Sequence, residues 1–101
     1  MTKYEMDDGV VADTLKSRQS WDEATRWDGR NMISVPTGSQ WEHEEMYLSM
    51  KGRYYLVSWS QRQGSCAAAR WVDKTEAAAW LSLNGHEIPA DLAEAAESIT
   101  E

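Results

Sequence analysis

The chain has 101 residues, 42% apolar and 27% charged, a balance that excludes a disordered polypeptide and points to a single domain spanning 1–101. Seventeen acids against ten bases give a net charge of −7, which repels nucleic acid and anionic membranes over a Debye length of about 8 Å. One cysteine, Cys66, excludes an internal disulfide, and no apolar run is longer than 77–81, far short of a membrane span.

In chain order, residues 1–9 are polar and acidic, end in Gly9 and predict a flexible arm without signal-peptide character, hence a cytoplasmic protein. Residues 10–27 read as helical. Val11, Leu15 and Arg18 share one side of a first helix, and Ser20 followed by Glu23 forms a capping-box pattern for a second turn ended by Asp28-Gly29. Residues 31–35 carry the apolar and β-branched pattern of a short strand, and Pro36-Thr-Gly-Ser reads as a loop.

Residues 44–72 predict a β-meander. Met46, Leu48 and Met50 alternate before Lys51-Gly52, and Tyr55, Val57 and Trp59 alternate after it. Two hairpin registers compete. A two-residue Lys-Gly loop places Leu48 opposite Tyr55 and Met46 opposite Val57, and is narrowly favoured because it joins the stronger apolar sets. A three-residue loop with Gly52 left-handed places Leu48 opposite Tyr54 and Met46 opposite Leu56. A third strand lies around 68–72.

Asp73 with Glu76 then caps a helix over 74–84 whose inward face is Ala77, Trp80, Leu81 and Asn84, stopped by Gly85. Pro89 opens a last helix over 89–100, with Leu92, Ala95, Ala96 and Ile99 inward and Asp91, Glu94, Glu97 and Glu101 as an outer acidic stripe. The fold class is α+β: a three-stranded antiparallel β-meander, with a fourth short strand as an option, packed against helices. Six tryptophans and no phenylalanine imply that the core is built mainly from indoles, with one or two rings left over for a ligand.

Enzymatic chemistry finds little footing. His43 stands among Glu42, Glu44 and Glu45, but strand alternation puts only His43 and Glu45 on one face, so no metal or other cofactor is expected. Cys66 after Gly64-Ser65 has no imidazole brought near it by spacing, so no catalytic residue is assigned. Tyr54, Tyr55, Trp59, Arg53 and Arg62 could stack single-stranded nucleic acid, but the charge opposes it.

Two constellations remain. The acids Glu42, Glu44, Glu45, Asp91, Glu94 and Glu97 suit a protein partner with a basic surface, with Trp27 or Trp59 as apolar anchor. The Arg26–Arg30 loop around Trp27 suits an anionic small molecule, with Arg30 as its critical contact.

The stretches Arg26-Trp-Asp-Gly-Arg-Asn-Met-Ile-Ser, Thr37-Gly-Ser-Gln-Trp-Glu-His-Glu, Lys51-Gly-Arg-Tyr-Tyr-Leu and Ala77-Ala-Ala-Trp-Leu-Ser-Leu-Asn-Gly-His-Glu-Ile-Pro resemble a group of small Trp-rich bacterial proteins carried on plasmids and genomic islands. The resemblance covers roughly residues 20–92 and implies a mobile-element setting without a mechanism. Where such proteins often have Trp after the hairpin, this chain has Arg62. The expectation is therefore a non-enzymatic acidic binding protein, monomeric or homodimeric. It would inhibit a host defence complex that handles nucleic acid, as an anti-CRISPR protein does, by occupying a basic surface. It would make no direct contact with nucleic acid or membrane. The alternative is an anion-binding accessory protein using the Arg26–Arg30 loop.

Overall fold

A computed structural model describes residues 3–61 and 67–98. The chain forms β1 (Lys3–Glu5), β2 (Val11–Asp13), a 3-10 turn (Thr14–Lys16), β3 (Gln19–Asp22), β4 (Thr25–Trp27) and β5 (Met32–Ser34). There follow β6 (Glu42–Leu48), β7 (Tyr54–Ser60), β8 (Ala68–Val72), α1 (Lys74–Leu83), a 3-10 turn (Ala90–Leu92) and α2 (Ala93–Ser98). All paired strands are antiparallel. The main sheet runs β3-β6-β7-β8, and β1-β2 and β4-β5 form separate two-stranded ribbons. This is an α+β fold with more strands than the three or four expected.

The hairpin between β6 and β7 adopts the three-residue-loop register, against the narrow expectation of a two-residue loop. Leu48 faces Tyr54 and Met46 faces Leu56. The loop is Met50-Lys51-Gly52, closed by the Ser49 N–H donating to the Arg53 carbonyl at 2.8 Å, with Gly52 at φ +86°. A two-residue type I′ loop would need positive φ at Lys51 as well, whereas the three-residue loop concentrates that demand on glycine. The argument for joining the stronger apolar sets fails because both faces of β7 are covered. Tyr54, Tyr55, Leu56 and Val57 are buried in succession.

One face, carrying Trp21, Met46, Tyr54 and Leu56, packs on Ala77, Ala78, Trp80 and Leu81 of α1 and on Leu92. The other face, carrying Tyr55 and Val57, packs under Met6 and Ala12 of the N-terminal ribbon, with Tyr47, Trp59 and Trp71 partly buried around them. The segment 1–9 expected to be a flexible arm thus contains β1, paired with β2 from Lys3 opposite Asp13 to Glu5 opposite Val11.

The helical reading of 10–27 is corrected to strands. Asp13 caps only one 3-10 turn, its carboxylate accepting the Leu15 N–H at 3.0 Å. Trp21 is drawn instead into the ladder opposite Met46 and is buried. Helical segments this short are marginal by themselves, so tertiary pairing outweighs the capping pattern. The expected strand over 31–35 is β5.

α1 follows its sequence signals. The Asp73 carboxylate accepts the Glu76 N–H at 2.7 Å, and the four residues assigned inward are all buried. The last helix differs from expectation. It begins as a 3-10 turn, and α2 itself has six residues, so Asp91 and Glu94 do not share one regular α-helical stripe. Arg62 and Cys66, Ile99 of the expected inward face and Glu101 of the expected stripe lie outside the described residues. Leu81→Ala is expected to cost about 2–5 kcal/mol in urea unfolding because the side chain is fully buried. Leu83→Ala on the exposed side of α1 should change stability by less than about 0.5 kcal/mol.

Candidate functional site

The β4-β5 ribbon is anchored at its root and bare at its tip. At the root, Ile33 and Ser34 are buried and Ser34 Oγ donates to Glu23 Oε1 at 3.0 Å. The Asn84 side chain, buried at the end of α1, accepts the Ala24 N–H at 2.7 Å and donates to the Trp80 carbonyl at 2.7 Å. At the tip, the Asp28 carboxylate accepts the N–H groups of Asn31 at 2.7 Å and Arg30 at 2.8 Å. Those two donors hold its carboxyl below the usual range, Asn31 first. Gly29 supplies the positive φ of the turn.

Trp27 and Met32 face each other across the ribbon and are 63% and 52% exposed. Arg26 and Arg30 are exposed beside them. Among the described residues the cation–π contact is Arg53 over Trp71, 3.8 Å from the ring centre, rather than one on Trp27.

The six indoles divide. Trp21 and Trp80 are core, Trp59 and Trp71 are half-buried, and Trp27 and Trp41 are exposed. Trp59 lies against the His43 ring at 5.7 Å.

The structure does not gather the acids onto one surface. Glu42, Glu94 and Glu97 are exposed. Glu44 faces the helices and accepts the Trp80 indole N–H at 3.2 Å. Glu45 faces the other way, directly opposite Asp22, and its carboxyl is raised chiefly by burial, with Asp22 adding to the shift. Both oxygens of Asp91 lie 3.0 Å from the Tyr54 hydroxyl, which donates to them. Burial first, then this carboxylate, pushes the phenol up to about 12.

Glu23, expected as a capping residue, instead organises the strand junction. Its Oε1 accepts the Glu44 N–H at 2.6 Å as well as the Ser34 hydroxyl, and its Oε2 meets His43 Nδ1 at 2.7 Å. His43 Nε2 is buried without a partner among the described residues. The Ser20–Glu23 spacing signalled a polar role but pointed to the wrong backbone.

Asp8 is a second such centre. It accepts the Trp71 indole N–H and the Val10 N–H, each at 3.1 Å, and pairs with Arg53 at 3.1 Å. Among the described residues no group of three His, Cys, Asp or Glu side chains is arranged to hold a metal ion, and no helix is long and apolar enough to cross a membrane. No protein-family model, curated protein or solved structure matches the chain.

The Asp8 bonds, that to Trp71 foremost, depress its carboxyl below 3.8. An acid with a lowered folded pKa stabilises above its unfolded value and loses that contribution as pH falls through the folded one. The indole N–H resonance of Trp71 should therefore move on acidification below pH 3.8. Asp8→Asn should abolish that step and leave the N-terminal ribbon less protected in hydrogen exchange at neutral pH.

Proposed function

We propose that this chain is a non-enzymatic binding protein that inhibits a nucleic-acid-handling defence complex, in the manner of an anti-CRISPR protein, by docking on a basic surface of one of its protein subunits. The observation that carries the reading is Trp27. A ring 63% exposed, paired with an exposed Met32 on a turn clamped by Asp28, has the form of a preorganised apolar anchor. The partner's chemistry is argued from charge. At −7 the chain as a whole favours a basic surface, and Glu42, Glu94 and Glu97 are the acids of the set left exposed to meet lysines and arginines. Glu44 and Asp91, committed to internal hydrogen bonds, have the lesser part. The mobile-element setting implied by the resemblance supplies the biological class.

The test is plaque formation by a targeted phage in cells that carry the defence complex and express this chain. Wild type should restore plaquing. Trp27→Ala should weaken capture of the complex by about 2 kcal/mol or more, and so lose most of the rescue. Reversal of Glu94 and Glu97 to Lys should weaken it further at low salt, with melting temperature unchanged. Full rescue by Trp27→Ala, or no rescue against any complex tried, would overturn the proposal. Loss through Arg30→Ala alone, with the charge reversals silent, would favour the anion-binding alternative.

A further inference from the structure

A groove of about 470 Å3 lies between β2 with its following 3-10 turn and the β6-β7 loop, a volume within the usual range for small-molecule sites. Its walls are apolar and open to water: Val10, Val11 and Met50 are 46%, 58% and 63% exposed. Leu15 in the adjoining turn is more exposed still, at 80%. Ala12 and Trp71 also line it.

Charge makes the groove unlike the rest of the chain. Lys16, Lys51 and Arg53 line it, three of only ten bases in a protein of charge −7. The acid among the lining residues is Asp13, whose carboxylate is engaged with the Leu15 N–H. Asp8 neutralises Arg53 and holds it over Trp71. Lys16 and Lys51 have no ion pair among the described residues, and against Asp13 they leave the groove one positive charge in excess.

The geometry points to a binding site for a small amphipathic organic anion, with an apolar body against Val10, Val11 and Met50 and an acidic head group between Lys16 and Lys51. A concave apolar wall with cations at its edge matches such a molecule at both ends. Two flexible ammonium groups receive a carboxylate, sulfonate or phosphate equally as point charges. A polyanion is a poor fit, because beyond these cations it meets a net negative surface. This site uses none of the residues assigned to docking at Trp27, and the two readings stand or fall separately.

The experiment is titration of the 15N-labelled chain with decanoate, read at the tryptophan indole N–H resonances. Decanol and decyltrimethylammonium serve as chain-matched neutral and cationic probes. Decanoate should shift the Trp71 resonance saturably, decanol should bind more weakly, and the cation should not bind. Lys16→Gln with Lys51→Gln should weaken decanoate about fivefold, the loss expected of partly exposed ion pairs. Met50→Asp, at an exposed position, should abolish binding without lowering the melting temperature.

Trp27→Ala should leave decanoate affinity unchanged, which separates failure of the docking reading from failure of this one. The inference is overturned if decanoate gives no saturable shift, if it moves Trp27 or Trp41 but not Trp71, if decanol binds as tightly, or if the double lysine variant binds decanoate like wild type.

Discussion

Burial of β7 on both faces is the constraint from which the rest follows. Four consecutive side chains, Tyr54 through Val57, are excluded from water, and in a strand consecutive side chains point to opposite sides. A sheet with such a central strand needs two covers. α1 and the Leu92 turn supply one, and the β1-β2 ribbon, from Lys3 to Asp13, supplies the other. In a chain this short neither core is deep, so large rings carry much of the burial.

The excess of tryptophan and the excess of acid are linked by the same burial. An indole or phenol brought into a core carries a donor that must find an acceptor. Here carboxylates provide it: Asp8 for Trp71, Glu44 for Trp80, Asp91 for Tyr54. Part of the negative charge is therefore structural, joining covers to sheet, and is not outward decoration. Glu23 works similarly between β3, β5 and β6, with His43 as its third contact.

What remains at the surface is divided into two unlike features. The β4-β5 tip offers an exposed ring on a rigid turn, suited to burial in a protein interface. The groove beside β2 offers apolar walls and two ammonium groups without an ion pair among the described residues, suited to a small anion. Net charge describes neither by itself, since Arg26 and Arg30 flank the exposed ring and lysines line the groove, and a sum over the chain conceals such local reversals of sign.

The sequence by itself determined the elements whose signals are local. α1 follows from Asp73, Glu76 and its inward spacing, the turn at Asp28-Gly29 from its side-chain acceptor, and the strands around Lys51-Gly52 from alternation. The hairpin register was not legible from apolar matching, because that criterion presumes one wet face and here both are covered. The fate of residues 10–27 was decided only by tertiary structure, since a short capping pattern is worth little against a free sheet edge next to Met46. The same holds for the site. Trp27 and Arg30 could be singled out from their spacing, but which indoles face water depends on what covers the sheet. That Lys16 and Lys51 line one groove depends on a ribbon and a loop distant in sequence and adjacent only in the folded chain.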